Sequence, residues 1–226
     1  MIIGIIHAME QEGTIIDENL RERQKINIKG STFIRGKIGF NDIILTNSGI
    51  GKVNSTIAAT LMITYFKPDL IINTGIAGGS RLLNTNDIIV ADKLAFSDFD
   101  LRAFGYQFGK VPGFDDYFKT STEYMDKIKA AFEYAGLKFK TVPILSADKF
   151  INSHTEIHRK YTVPYAVDME GASIAQTCNK MNVPFVSIRF ISDILDSANH
   201  LDNYHAFEEN ACKNSAKITL NILKNL

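Results

Sequence analysis

Phe185-Val186-Ser187-Ile188-Arg189-Phe190-Ile191-Ser192-Asp193 is a short apolar run that stops at a carboxylate. Its length and its β-branched and aromatic content predict a buried strand over residues 185–191 that ends before Asp193. Glu12 and Glu170 also follow short apolar runs. Open α/β sheets bind ligands at the carboxyl ends of their parallel strands, so carboxylates in such positions predict a shared site. Each of them alone is equally compatible with a first-turn helix carboxylate or a helix cap.

Around this stretch, short apolar runs alternate with helical patterns along the whole chain. Further strands are predicted over residues 2–6, 31–38, 42–46, 69–73, 87–91, 141–146 and 165–167. Helices are predicted from near Glu10, over residues 124–134, and around three sets of apolar positions: Val53, Ile57, Leu61, Tyr65; Ile174, Cys178, Met181; and Phe207, Ala211, Ile218, Ile222. This alternation predicts an α/β fold with a mixed, mostly parallel central sheet flanked by helices on both faces. Since no linker or repeat interrupts it, residues 1–226 are predicted to form a single domain.

The composition of the 226 residues argues against several classes of protein. The formal net charge is +0, from 25 basic and 25 acidic residues, which disfavours a nucleic-acid or anionic-membrane partner. The longest apolar runs are far shorter than the roughly 20 residues of a membrane span. The first residues lack a basic region and a cleavage site, and Cys178 and Cys212 fall at apolar helix positions. We therefore expect a cytoplasmic protein with two buried, reduced thiols.

Residues 96–118 differ from the rest of the chain because they are rich in Asp, Gly and aromatic residues and show no clear period. A long loop in a compact domain is usually functional. Exposed aromatic residues favour an oligomer interface or a pocket lid. A loop that folds onto its own domain is the alternative.

Two further motifs are weak when taken alone. Gly75-Ile76-Ala77-Gly78-Gly79 lacks the G-x-G-x-x-G spacing and a basic residue, so a ligand-binding loop and a plain tight turn are equally compatible with it. His154-Thr155-Glu156-Ile157-His158 has the wrong order for the zinc motif H-E-x-x-H, which favours a solvated helical face over a metal site. The sequence also lacks a serine nucleophile elbow.

Seven motifs occur in the order of one known family. They are Met9-Glu10-Gln11-Glu12, Ser48-Gly49-Ile50-Gly51-Lys52-Val53, Asn73-Thr74-Gly75-Ile76-Ala77-Gly78, Ala103-Phe104-Gly105-Tyr106, Ser146-Ala147-Asp148-Lys149-Phe150-Ile151, Met169-Glu170-Gly171-Ala172 and Arg189-Phe190-Ile191-Ser192-Asp193. With them the chain resembles the bacterial 5′-methylthioadenosine/S-adenosylhomocysteine nucleosidases of the purine nucleoside phosphorylase superfamily. The resemblance runs from Met1 nearly to Leu226. It implies a nucleoside phosphorylase-like fold and hydrolysis of the bond between adenine and a 5′-thio-substituted ribose, in methionine salvage and methyl-cycle detoxification, without cofactor or metal.

The resemblance assigns a separate task to each carboxylate. Asp193 is matched to the general acid that delivers a proton towards adenine N7, since the departing base must be protonated. Glu12 is matched to the base that orients and deprotonates the attacking water. Glu170 is matched to the ribose binder, because a carboxylate offers two acceptor oxygens to two adjacent hydroxyls. One carboxyl group helps the leaving group and another activates water, as in glycoside hydrolysis.

The resemblance also implies residues that bind the base and support the catalytic groups. Phe150 stacks on adenine, the backbone of Ile151 reads the base edge, and Gly78 lies in a loop that faces the base. Arg189 and Ser192 help to position the water and the general acid.

A further set is implied at the sugar and at the thio end. The backbone of Met169 contacts the ribose, and Met9 and Ile50 wall the sugar and the thio substituent. Tyr204 closes the thio pocket, with Phe207 as the next choice. A homodimer is implied, because the family supplies part of this pocket from the neighbouring subunit, by residues matched here to Leu101, Phe104 and Pro112.

This chain departs from the family pattern at several positions. Ile76 stands where relatives often carry Ser, Ala147 replaces the usual Gly, and Asp168 replaces the usual Glu. None of these changes removes a proposed catalytic group. A phosphate-dependent purine nucleoside phosphorylase remains an alternative, although Glu12 would repel phosphate and only Arg81 lies near the glycine segment. A nucleoside-binding protein without catalysis is the second alternative.

Overall fold

The computed structural model describes residues 1–157, 164–197 and 200–226, without the side chains of residues 200–207. Its strands are β1 (Ile2–His7), β2 (Arg21–Ile28), β3 (Ser31–Ile38), β4 (Asn41–Asn47), β5 (Leu70–Gly79), β6 (Ile88–Phe96), β7 (Phe118–Lys119), β8 (Lys140–Ser146), β9 (Ala166–Asp168) and β10 (Phe185–Ile194). Its α-helices are α1 (Glu10–Glu18), α2 (Lys52–Phe66), α3 (Thr122–Tyr134), α4 (Gly171–Met181) and α5 (His200–Lys224).

The strands form one mixed sheet around β1, which runs parallel to β4 on one side and to β5 on the other. Beyond β4, strands β3 and β2 continue the sheet in antiparallel pairing. Beyond β5, the pairings run through β10, β6, β8 and β9 back to β5, so this half of the sheet closes on itself. Because β1, β5 and β10 are mutually parallel, their carboxyl ends lie at one edge. The predicted mixed α/β fold is confirmed.

Helices cover both faces of the sheet, and β1 explains why. Its buried side chains alternate between two apolar layers, as a strand covered on both sides requires. Ile3 and Ile5 pack in the layer that contains residues of α1, α3 and α5. Ile6 packs in the layer with α2 and α4, and Gly4 gives room there to the thioether of Met62. The apolar content of both layers stabilises the fold through burial, at about 25 cal/mol per Å².

Two segments differ from the sequence-based expectation. Strand β2 was not predicted, because its Arg21–Ile28 run is charged and largely exposed at the sheet edge. The glycine segment is neither loop nor turn, since β5 continues through Gly79 and pairs with both β10 and β9. Gly78 therefore lies in a strand rather than in a loop. The glycines of this segment suggested a turn, because the sequence does not show the two flanking strands that hold the segment extended.

The aromatic residues of the 96–118 segment divide into two groups. Phe96 and Phe118 are buried in β6 and β7, and their rings meet edge to face at 5.6 Å between centroids. Phe104, in the one-turn 3₁₀-helix Arg102–Phe104, is 78% exposed. The segment is thus partly folded onto its own chain and partly open to a partner.

The apolar stripe that predicted α2 also faces outward. Val53, Ile57 and Tyr65 are exposed, whereas Ala59 and Met62 are buried against the sheet. The helix was predicted correctly, but part of the stripe that revealed it lies outside the core.

Strand β10 contains a bulge between Ile191 and Asp193. Ile191 pairs with Ala77 and Asp193 pairs with Gly78, so a step of two residues along β10 matches a step of one residue along β5. Residues two apart normally share a face, but the bulge turns Asp193 to the face opposite Ile191. The prediction that the strand ends before Asp193 is wrong, because β10 continues to Ile194.

In the part of the chain that the structure describes, no helix combines the length and the apolar character needed to cross a membrane. Cys178 and Cys212 are free and buried, as predicted. Burial raises the pKa of the Cys212 thiol to about 12.

Candidate active site

A cavity opens where β1, β5 and β10 end, and it brings Glu12, Glu170 and Asp193 together. The other predicted site residues that line it are Met9, Ile50, Gly78, Phe150, Ile151, Met169 and Ser192. The predicted convergence of the three carboxylates is therefore found in the structure.

Glu12 lies in the first turn of α1, and its carboxylate is held by backbone N–H groups. Oε2 accepts from the N–H groups of Ala8 and Met9, both at 3.0 Å, and Oε1 accepts from the N–H of Ile76 at 2.9 Å. The residue is 3% exposed. Gly75 permits this approach, because a Cβ there would lie 2.4 Å from Oε1. Since three donors from two segments hold the carboxylate, its position is defined before any ligand binds.

Glu170 precedes the first residue of α4 and reaches across the cavity to another helix. Its Oε1 accepts a hydrogen bond from the N–H of Gly51 at 2.8 Å, at the start of α2. Burial, reinforced by the nearby charge of Asp168, raises the pKa of Glu170 to about 7, although Arg189 opposes this rise. Glu170 therefore exchanges a proton close to neutral pH.

A buried ion pair lies beneath the carboxylates. Arg189 is 3% exposed, and its Nη2 lies 2.6 Å from Oδ2 of Asp168 and also donates to Oδ1 of Asn73. Asp168 also accepts from the N–H of Gly171 at 3.0 Å. Burial alone would lower the pKa of Arg189, but Asp168, Glu12 and Glu170 raise it above its usual value. The pair is well satisfied, as a buried pair must be.

The structure shows contacts of Arg189 and Asp168 that the sequence alone did not indicate. The hydrogen bonds of Arg189 go to Asp168 and Asn73, and its Nη1 approaches Gly75 close to Glu12. In the sequence, Asp168 stands out only as a departure from the family pattern. An arginine inside an apolar strand was the available signal, because a buried charge demands a partner.

Asp193 enters the cavity from the β10 bulge. Ser192 Oγ donates to its Oδ1 at 2.5 Å. Oδ2 lies beside Gly78, where a Cβ would be only 3.0 Å away. The side chain is buried and takes its orientation from the bulge, from Ser192 and from the missing Cβ of Gly78.

The loop after β8, which carries Phe150 and Ile151, is tied to two other segments. Lys52 Nζ donates to both carboxylate oxygens of Asp98, at 2.8 and 2.7 Å. Asp148 Oδ1 accepts from the Lys52 N–H, and the Asp148 N–H donates to Asp98, both at 2.8 Å. Phe150 remains 38% exposed at the mouth of the cavity, and Ile151 is buried. A flat ring at the mouth is suited to stack on a planar ligand.

Comparison with known proteins identifies the family. The model of the phosphorylase superfamily matches residues 2–224. The 5′-methylthioadenosine/S-adenosylhomocysteine nucleosidase of Staphylococcus aureus (strain MRSA252) is 38% identical over 220 residues, which are 96% of each chain. This chain belongs to that nucleosidase family. The resemblance seen in the sequence motifs is confirmed.

Solved structures of nucleosidases agree with this assignment. The S-adenosylhomocysteine nucleosidase of Streptococcus pyogenes, in complex with 5-methylthiotubericidin, matches with a TM-score of 0.91 and 32% identity, over 100% of this chain and 97% of that one. The nucleosidase of Colwellia psychrerythraea in complex with adenine gives 0.92 and 33%, over 100% and 96%. A futalosine hydrolase mutant of Helicobacter pylori gives 0.92 and 32%, over 100% of both chains.

The three residues matched to the part of the pocket that a neighbouring subunit supplies lie away from the cavity of their own chain. Leu101, Phe104 and Pro112 do not line the cavity of their own chain, as far as its described residues show. Phe104 and Pro112 are exposed. The side chains of Tyr204 and Phe207, expected to close the thio pocket, lie outside the described residues.

The histidine motif does not form a metal site in the described part of the chain. Among the described residues, no group of three His, Cys, Asp or Glu side chains is arranged to hold a metal ion. His154 Nδ1 instead lies 2.7 Å from Oδ2 of Asp196. His158 lies outside the described residues.

Proposed function

We propose that this protein hydrolyses the N-glycosidic bond of 5′-methylthioadenosine and S-adenosylhomocysteine, releasing adenine and the 5′-thio-substituted ribose. The observation that carries the proposal is the convergence of Glu12, Glu170 and Asp193 from three separate segments in one cavity. The names of the relatives support the same substrate class. The reaction uses water as the second substrate.

In this proposal Glu12 is the base. As the C1′–N9 bond breaks, positive charge develops on the ribose, and a water oxygen bonds to C1′ while its proton passes to Glu12. The three backbone donors around the carboxylate support this role, because they hold it still without a flexible partner. Arg189 Nη1 approaches Gly75 beside Glu12 and helps to position the water.

Asp193 is the general acid. The electron pair of the broken bond passes into the purine, and Asp193 delivers a proton to N7, so adenine leaves as a neutral base. Ser192 donates to Oδ1, and Oδ2 is the oxygen that lies beside Gly78. Ser192 thereby orients the acid.

The remaining lining residues bind the nucleoside. Glu170 accepts hydrogen bonds from the ribose hydroxyls, assisted by the backbone of Met169. Phe150 stacks on adenine, while the backbone of Ile151 and Gly78 face its edge. Met9 and Ile50 wall the sugar and the thio substituent.

We propose further that the protein acts as a homodimer in the cytoplasm. In a dimer, Leu101, Phe104 and Pro112 would complete the thio pocket of the neighbouring subunit, and Tyr204 would close it. The exposed Phe104 supports this, as does the outward apolar stripe of α2 next to Ile50. Residues 1–226 are proposed to form one domain, since a single apolar layer contains both Ile3 and Leu223.

Release of adenine in phosphate-free buffer tests the reaction. We expect full turnover of methylthioadenosine without phosphate; a strict phosphate requirement would identify a phosphorylase instead. Binding of methylthioadenosine without turnover would identify a binding protein. Comparison of kcat/KM for methylthioadenosine, S-adenosylhomocysteine, 5′-deoxyadenosine and aminofutalosine then ranks the substrates.

Two variants test the assigned roles. Asp193→Asn should keep the fold and lose several orders of magnitude in kcat, because an amide cannot donate the required proton. Glu12→Gln should bind methylthioadenosine and fail to hydrolyse it. If Glu12→Gln loses only binding, the base assignment is wrong.

A further inference from the structure

His7 is a buried histidine directly beneath the segment that carries Glu12. It is the last residue of β1 and is 5% exposed. Its Nδ1 lies 2.8 Å from the carbonyl oxygen of Met9. Because a carbonyl oxygen only accepts, Nδ1 carries the hydrogen and donates it.

The backbone of Met9 connects this imidazole to Glu12 through two further hydrogen bonds. The same Met9 carbonyl accepts from the N–H of Glu12 at 3.1 Å. The Met9 N–H donates to Oε2 of Glu12 at 3.0 Å. His7 therefore holds the backbone of Met9, whose carbonyl contacts the backbone of Glu12 and whose N–H contacts its carboxylate.

Gly13 makes room for the imidazole ring. A Cβ on Gly13 would lie 2.2 Å from Nε2 and 2.4 Å from Cε1 of His7. Glu12 therefore lies between two contacts of the imidazole ring. Gly13, the residue after it, makes room for the ring, and the carbonyl of Met9, three residues before it, accepts the ring's hydrogen bond. A glycine inside α1 would otherwise only destabilise the helix, by roughly 0.5–1 kcal/mol relative to alanine.

The ring is also a neutral donor. Burial lowers the pKa of His7, against the opposing effects of Glu12, the Met9 carbonyl, Asp17 and Glu10. A neutral imidazole with its hydrogen on Nδ1 orients the Met9 peptide without placing a cation beside Glu12.

We infer that His7 is a positioning residue, which fixes the backbone of Met9 and through it the carboxylate of Glu12. The inference rests on the proposed role of Glu12 as the base. It assigns the end of β1 a task in the chemical step, although His7 itself does not line the substrate cavity.

The first test compares His7→Leu with His7→Asn. Asparagine places an amide N–H as many bonds from Cα as Nδ1, whereas leucine keeps apolar bulk and removes the donor. We expect His7→Leu to lower kcat about 10–100-fold, as misplacement of a catalytic group by up to about 1 Å can do, with KM and adenine affinity within about threefold of wild type. His7→Asn should recover at least tenfold of that loss. Gln11→Ala, an exposed change on the same turn, should retain wild-type kcat.

Gly13→Ala is the second test and applies even if His7→Leu does not fold. Alanine favours the helix but meets the ring, so kcat should fall at least tenfold while adenine still binds. Wild-type kcat in Gly13→Ala, or equal kcat in the leucine and asparagine variants, would overturn the inference. If Glu12→Gln retains turnover, the role of Glu12 fails first, and this outcome is distinguishable from failure at His7.

Discussion

Gly75→Ala is the substitution whose consequence the structure defines most closely. Gly75 lies in β5 with φ of +151° and pairs with Arg189. A Cβ there would lie 2.4 Å from Oε1 and 2.8 Å from Cδ of Glu12, and 2.9 Å from Nη1 of Arg189. Ordinary van der Waals contact begins near 3.4 Å, so the carboxylate would have to retreat by about 1 Å. That movement would break the 2.9 Å hydrogen bond from the N–H of Ile76.

The magnitude follows from this displacement. A misplacement of about 1 Å can lower a rate by roughly 10²-fold, which corresponds to about 2.7 kcal/mol in the activation barrier. We therefore expect kcat for methylthioadenosine to fall about 100-fold. Adenine affinity should change little, because the displaced carboxylate is the proposed base and not a proposed contact of adenine. Backbone strain at this φ should also lower the free energy of unfolding by about 1–3 kcal/mol.

The assay is adenine release at saturating methylthioadenosine, with thermal unfolding measured on the same preparations. Gly136→Ala is the matched control, because Gly136 has φ of +65° and no atom lies within 4 Å of its Cβ position. It should lose stability by about 1 kcal/mol and keep wild-type kcat. A folded Gly75→Ala enzyme with kcat within threefold of wild type would refute the claim that the place of Glu12 controls the rate.

Three further predictions concern the rest of the site. Asp168→Asn should leave Arg189 buried and unpaired, lowering the free energy of unfolding by about 3–5 kcal/mol in denaturant titration; a loss below 1 kcal/mol would contradict the buried pair. The pKa of Glu170 is raised in the folded state from its ordinary value of 4.5 to about 7. The free energy of unfolding of the ligand-free protein should therefore fall as the pH rises from 4.5 to 7. Glu170→Gln should flatten that part of the Tm profile; an unchanged slope would exclude Glu170 as its source. Phe150→Leu should raise KM about tenfold, by loss of roughly 1–1.5 kcal/mol of stacking, with kcat nearly unchanged; an unaltered KM would argue against stacking.

Local patterns were sufficient to predict the strands and helices that bury apolar residues. β1, β3, α3 and α4 carry clear periodicity, and each appears where it was predicted. β2 was missed because an exposed edge strand buries little, so its charged residues follow no period that reports the sheet. The strand through Gly75 was missed because its extended form depends on β10 and β9, which are distant in sequence.

The candidate site shows the same division. Glu12, Glu170 and Asp193 could be selected because each follows an apolar run, and one cavity contains all three. The role of Asp168 could not be predicted from the local sequence. Its partner Arg189 is 21 residues away, and only the closed half of the sheet brings the two side chains together. The task of His7, which follows the strand predicted over residues 2–6, could not be predicted either, because nothing local indicates that its ring meets Gly13.

The bulge in β10 has a consequence for the length of the chain. β5 advances by one residue where β10 advances by two, so the sheet itself does not require residue 192. A shorter strand lacking it would still pair Asp193 with Gly78 and would keep the later residues on their present faces. The pairing of β10 with β5 therefore does not depend on Ser192. What this protein gains from the extra residue is a hydroxyl 2.5 Å from the carboxylate of Asp193.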